Sequence, residues 1–271
     1  MPRVFILAAL AAVRLFAQDA NEIIQRSVER YQFSTDRLRD YTFLQRAEQI
    51  SYNKKGEVSK RESETHEVLI LAGRPYERLV AKNGEALSEK DTRKEQEKAD
   101  KELAKRLKDP EKQAREIEKD REESRRYFAE IPRAFDFTLL GEETYEGLPA
   151  WKIHAEPRPD FKPQEDDAKV FKKVRGTVWV DQASYQWVKA DMEVIDTISW
   201  GWLVLRIPPG ATMSFTQTRV NDELWVPATV DVRANAKLGL LKTFRMGFEL
   251  TFAEYRKFSV ESVLTIDEVQ Q

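Results

Sequence analysis

Apolar and polar positions change their period twice along this chain. In "DANEIIQRSVERY", Ile23, Ile24, Ser27, Val28 and Tyr31 fall on one side of a helical repeat. Asp19, with Glu22 three places on, has the layout of a capping box. The spacing predicts a helix that ends before "FSTDRLRDY". From Tyr41 the period drops to two. "YTFLQRAEQISY" and "GEVSKRESETHEVLIL" predict two long strands joined at "NKKG", and "PYERLVAKNGEAL" adds a strand that turns at Lys-Asn-Gly.

The alternation resumes at "AFDFTLLGEE" and runs, with turns, almost to the end. In "AWKIHAEP", Trp151, Ile153 and Ala155 share a face. In "TVWVDQASYQWVKADMEVID" the turn falls near Gln182–Ser184. Val188, Ala190, Met192 and Val194 then point one way, and Tyr185, Trp187, Lys189, Asp191 and Glu193 the other. "ATMSFTQTRV" turns into "ELWVPATVDVRA", where Leu224, Val226, Ala228, Val230 and Val232 align. "TFRMGFELTFAEYRKF" aligns Phe244, Met246, Phe248, Leu250 and Phe252, and "SVESVLTID" supplies a last strand. The expected fold class is α+β: one large antiparallel sheet of about ten strands with one strongly apolar face. With few helices to cover that face, such a sheet curls into an incomplete barrel.

Two stretches break the pattern. "ISWGWLVLRIPPG", residues 198–210, is apolar on both faces when read as one strand, with Ile198, Trp200, Trp202 and Val204 opposite Leu203, Leu205 and Ile207. It is too short to span a bilayer, which takes about 20 residues, so both faces need a cover. The other stretch is 88–134. Between Ser88 and Arg126, 13 acidic and 14 basic residues occupy 27 of 39 positions. Ser88 with Asp91 marks a helix start, and Asp109-Pro110 restarts a second helix. The apolar stripe of Leu103, Leu107, Ala114, Ile117, Phe128 and Ile131 is too narrow to fill a core. The insertion reads as a charged helical hairpin, either a solvated face laced with ion pairs or an arm that docks a partner.

Composition narrows the function. A net charge of -2 with interspersed signs gives no footprint for nucleic acid. Arg3, the apolar run Val4–Val13, and Leu15 and Ala17 at the -3 and -1 places have the layout of a signal peptide over 1–17, which predicts an exported chain whose mature form starts at Gln18. No later segment is long enough to be a transmembrane span. There is no cysteine, so disulfides, thiolate metal sites and a lipid anchor on cysteine are excluded. The two histidines, His66 and His154, lie 88 positions apart on strand patterns, "EDD" at 165–167 lacks calcium-loop spacing, and no HExxH, GxSxG or CxxC occurs. No cofactor and no catalytic constellation is expected, and the protein reads as a non-enzyme.

The phrase "GTVWVDQASYQWVK", followed by "YRKF" near the end, resembles the outer-membrane lipoprotein-sorting (LolA/LolB-like) superfamily of periplasmic proteins, in an uncharacterised exported branch. The resemblance spans about residues 20–266 and consists of strands and turns, with no catalytic residues. It implies a strongly curved, incomplete barrel with helices plugging the open side and an apolar cavity between, in which members hold acyl chains. It implies one domain over 18–271 interrupted by the charged insertion, and a periplasmic location. The expected function is therefore carriage or sensing of a lipid or lipoprotein acyl chain. The ligand-binding candidates are Trp200, Trp202, Leu203 and Leu205 with Phe244, Met246, Phe248, Leu250 and Phe252. The alternative is an envelope interaction protein whose barrel is filled by side chains and whose 88–134 arm docks a protein partner.

Overall fold

The computed structural model describes residues 19–53, 55–200, 205–238 and 242–257. The signal-peptide reading of 1–17, Trp202, Leu203 and the closing "SVESVLTID" lie outside these residues. The first helix, α1 (Ala20–Leu38), starts where expected: the Asp19 side chain accepts a hydrogen bond from the Asn21 N–H. Glu22 does not complete a capping box and pairs instead with Arg26, one turn on. The helix also runs past the predicted end. Ser34 bonds to Gln186 on a distant strand, and Leu38 packs beside Tyr41 and Leu224. Those tertiary contacts extend α1 through "FSTDRL", where local polarity alone predicts a stop.

Among the described residues, thirteen strands follow in one sheet: β1 (Tyr41–Tyr52), β2 (Val58–Leu71), β3 (Arg74–Lys82), β4 (Glu85–Ala86), β5 (Phe135–Tyr145), β6 (Leu148–Pro157), β7 (Val174–Asp181), β8 (Trp187–Val194), β9 (Ile198–Trp200), β10 (Leu205–Ile207), β11 (Thr212–Val220), β12 (Leu224–Leu238) and β13 (Lys242–Lys257). The main path runs β4-β3-β2-β1-β13-β12-β11-β8-β7-β6-β5, and its neighbours pair antiparallel. The two ends of this path, β4 and β5, do not pair, so the curved sheet stays open. The fold is α+β, as the alternation predicted. Most turns are short, and Asn83-Gly84 has positive φ at both positions, as a tight turn between twisted strands requires.

The charged insertion forms α2 (Glu89–Leu107) and α3 (Pro110–Ala129), followed by the short α4 (Ile131–Ala134). Ser88 caps α2 at the Asp91 N–H, and Asp109 caps α3 at the Lys112 N–H with Pro110 in the first turn. The hairpin is tied down at the β2–β3 turn. Arg106 donates to the carbonyls of Leu71 and Arg74, and Arg74 pairs with Glu116 and Asp120. Gly73, in that turn, has φ +78°, and a Cβ there would sit 3.0 Å from the Ile117 side chain. A glycine thus suits both the backbone conformation and the close approach.

Two readings of the sequence are corrected by pairing. Residues 198–207 are not one strand. Ile198, Ser199 and Trp200 pair antiparallel with Ile207, Arg206 and Leu205, so the chain reverses between Trp200 and Leu205. A nearly unbroken apolar run carries no register signal. In the β7–β8 hairpin the register shifts between Trp179↔Lys189 and Val180↔Trp187, leaving Val188 as a bulge residue. Trp187 therefore joins the apolar face with Val180, and Val188 packs with Ala150 and Trp179 instead. Strict alternation put both on the opposite faces.

Candidate functional site

The strand registers carry one continuous cross-strand row over the apolar face. Through β5, β6, β7 and β8 it reads Leu139, Ile153, Val178, Ala190; through β11, β12, β13 and β1 it continues Phe215, Val230, Leu250, Ala47. A second row begins Phe137, Ala155, Gly176, Met192 and continues Met213, Val232, Phe248. Side chains two apart on a strand share a face, so the rows form one surface.

One end of this surface is packed. α1 lays Ile23, Ile24 and Val28 against Trp151, Ile153 and Val180, with Phe128 and Ile131 from the end of the insertion closing the edge. Ile153 and Val180 have 0% exposure. Phe161 and Phe171, from the connection between β6 and β7, cover Phe135 and Ala155. The position of α1 is fixed by polar contacts beneath it. Trp187 donates its indole N–H to Ser27 at 2.5 Å, Ser34 reaches Gln186 at 3.3 Å, and Gln186 donates to Gln217 at 3.0 Å. Ser27, Ser34, Gln186 and Gln217 are all buried, and each has a partner here, as buried polar groups require. Tyr31 stacks on Trp187 with ring centroids 5.1 Å apart, and burial pushes its phenol above the ordinary tyrosine range.

The other end is not packed in the same way. Met192, Met213, Phe215, Val230, Val232, Met246, Phe248 and Leu250 are all half-buried, and none belongs to an apolar cluster of the described core. At the C-terminal end of α1, Leu38 meets the Tyr41–Leu224–Val226 group. A 19-residue helix is about 28 Å long and six strands span about 24 Å, so α1 crosses the sheet once and cannot cover both ends of the strands. Among the described residues, the result is a half-buried apolar surface, the trough, over β8, β11, β12 and β13. Its members are all apolar, a surface suited to burying hydrocarbon.

The sequence candidates divide accordingly. Met246, Phe248 and Leu250 line the trough, and Phe252 lies at its edge, its ring centroid 6.1 Å from that of Phe43. Trp200, Leu205 and Phe244 are placed by their strands only. β10 pairs with the far end of β12 at Leu205↔Leu238, and Phe244 pairs with Ala236 on the other side of β12. Those strands therefore flank the end of the trough. Met192, Met213, Phe215, Val230 and Val232 were not singled out as candidates. The alternation in "ATMSFTQTRV" and "ELWVPATVDVRA" carries their facing, but only the pairing of β8, β11 and β12 brings them together.

The opposite face is largely polar, apart from the small cluster of Ala150, Trp179 and Val188. Arg233 pairs with Asp231 and Glu249 and reaches the Tyr52 hydroxyl. Glu48, almost fully buried, accepts from Arg61 and Arg46. The hydrogen bond from Arg61, then that from Arg46, holds its carboxyl below the ordinary glutamate range against the opposing effect of burial. His154 bonds Glu156 on this face, whereas His66 and Glu64 pair with Gln45 and Ala47 and so lie on the other face, beyond the apolar row. Among the described residues no group of three metal-ligating side chains occurs, and no helix is long and apolar enough to cross a membrane.

The fold and site together define an open antiparallel sheet with one helix across an apolar face. No family model matches the chain, and no curated protein does. Solved structures similar to it include a putative outer membrane lipoprotein-sorting protein domain from Vibrio parahaemolyticus, 12% identical over 92% of this chain and 100% of that one, with a TM-score of 0.32. A LolA superfamily protein from Nitrosomonas europaea is 8% identical over 92% of this chain and 97% of that one, TM-score 0.32. The MucA/MucB complex of Pseudomonas aeruginosa gives 11% identity over 89% and 100%, TM-score 0.26.

Proposed function

We propose that this protein is an exported, non-enzymatic binder of a lipid or acyl chain, working in the periplasm as a carrier or sensor with residues 18–271 as one domain. The observation that supports the reading is the half-buried trough. Eight apolar side chains from four strands face one way, beside a stretch of the same face that is packed to 0% exposure. Each methylene drawn from water onto such a surface gains about 0.8 kcal/mol, so a hydrocarbon chain binds without specific polar contacts. Met246, Phe248 and Leu250 form its wall with Phe252 at its edge, and the candidates Trp200, Trp202, Leu203, Leu205 and Phe244 belong to the same reading.

The test is direct. Protein purified from its exporting host is extracted with organic solvent and the extract read by mass spectrometry, while protein stripped of lipid is titrated with a fluorescent fatty acid. Stoichiometric lipid in the extract and saturable binding of the probe are expected. An extract free of lipid together with no probe binding overturns the reading and leaves an interaction protein whose trough is closed by its own side chains.

A further inference from the structure

The chain contains four methionines and no cysteine. Met1 belongs to the predicted signal peptide. The other three, Met192, Met213 and Met246, all lie on the apolar face at the open end of the sheet. Met192 on β8 and Met213 on β11 are direct cross-strand partners. Met246 on β13 pairs with Ala234 on β12, one side-chain row beyond the row of Met213 and Val232. All three are half-buried, and none lies in the packed cluster under α1. Every sulfur atom of the mature chain is therefore in the trough.

Nothing in the packed half required this. Methionine fills irregular gaps well, and the core under α1 uses isoleucine, valine, tryptophan and phenylalanine instead. Concentrating thioethers on a partly open surface has a chemical consequence. A thioether that solvent can reach is open to two-electron oxidants, and the product is a polar sulfoxide.

We infer that Met192, Met213 and Met246 form an oxidant-responsive modification site that switches the trough from apolar to polar. In the step, a thioether sulfur attacks one oxygen of a peroxide. The O–O bond breaks, an S–O bond forms, sulfur is oxidised by two electrons, and hydrogen peroxide is reduced to water. The new S=O group faces the volume that a hydrocarbon chain would occupy. It then either loses its hydrogen bonds to water when a chain binds or holds water in the trough and keeps the chain out. An unpartnered polar group on an apolar contact weakens binding by roughly one to two powers of ten. The step is reversible by methionine sulfoxide reductases. With no cysteine, the mature protein has no thiol to be oxidised in its place. The effect on ligand release rests on the proposed lipid-binding reading, whereas the reactivity of the three sulfurs does not.

The experiment treats the full mature chain with hydrogen peroxide and follows each methionine by peptide mass spectrometry, in native buffer and in urea. Circular dichroism and binding of a fluorescent fatty acid are measured on the same samples. In the native protein the three residues are expected to gain one oxygen each, at rates within about tenfold of the unfolded chain, with the fold retained. Probe affinity is expected to fall at least about tenfold and to return after incubation with the reductases. In the variant M192L/M213L/M246L, probe affinity measured before and after peroxide is expected to be the same, whatever its starting value. Native-state protection of all three by a hundredfold or more overturns the site, whether or not the probe binds. Full sulfoxidation with unchanged affinity overturns the switch. Ready sulfoxidation of a folded protein that never bound the probe overturns the lipid-binding reading and the switch, and leaves the modification site standing.

Discussion

Ile153 and Leu250 occupy the same cross-strand row of one sheet, five strand steps apart, yet one is sealed and the other half in water. The row itself does not differ: both ends are aliphatic, with aromatic neighbours. What differs is what lies on top. Over β5 to β8 sits α1, pinned by Ser27 and Ser34, with the aromatic end of α3 beside it. Over the open part of β11 to β13 the described helices offer no comparable cover. An apolar face thus becomes core or binding surface according to its cover, and the residue types alone do not decide which.

The largest effect expected from this contrast is on stability. Ile153→Ala should cost about 3–4 kcal/mol in urea unfolding, because it opens a cavity between α1 and the sheet. Leu250→Ala in the same row should cost only about 1 kcal/mol, since much of that side chain already meets solvent. Equal losses would mean that the two ends are packed alike, and the trough would not exist.

Deleting residues 90–126 with a short linker comes next. The deletion removes the ion pairs of Arg74 and the burial of Ala99, but it leaves Phe128 and Ile131 in place against α1. A loss of about 2 kcal/mol is expected with unfolding still cooperative, because exposed ion pairs contribute little and loop closure depends weakly on length. If the transition becomes broad or disappears, the charged hairpin belongs to the packed half.

Val232→Glu probes the other half. A carboxylate in the middle of the trough should lower fatty-acid affinity by at least about tenfold, or about 1.4 kcal/mol, while stability changes by less than about 1 kcal/mol. A variant that fails to fold would instead mark Val232 as core.

The smallest effect lies on the polar face. Glu48 has its pKa depressed by Arg61 and Arg46, so its contribution is complete above the ordinary glutamate value of 4.5. That contribution is lost as the pH falls through the lower value of the folded state. Glu48→Gln should therefore cost about 1 kcal/mol at neutral pH and flatten the acid limb of the stability curve. An acid limb identical to that of the wild type would show that other carboxylates carry it.

Much of the fold was legible because its signals are local. Period-two alternation exposed the strands, Asn83-Gly84 fixed a turn, and Ser88 and Asp109-Pro110 marked both helices of the charged hairpin. The apolar side of β13, from Met246 to Phe252, was likewise visible, since strand faces follow from spacing alone. Three features were not legible. The bulge at Val188 moved Trp187 onto the apolar face, because an extra residue in one strand is defined only against its partner. The reversal between Trp200 and Leu205 was hidden because unbroken apolar sequence specifies no register. The extension of α1 to Leu38 came from contacts with Gln186 and Leu224 that lie far along the chain. The sequence by itself determined that one face of a large antiparallel sheet would be apolar. Only the tertiary structure decided which half α1 would seal and that Met192, Met213, Val232 and Phe248 would meet in the open half, since strand order and helix placement are set by long-range pairing and not by local pattern.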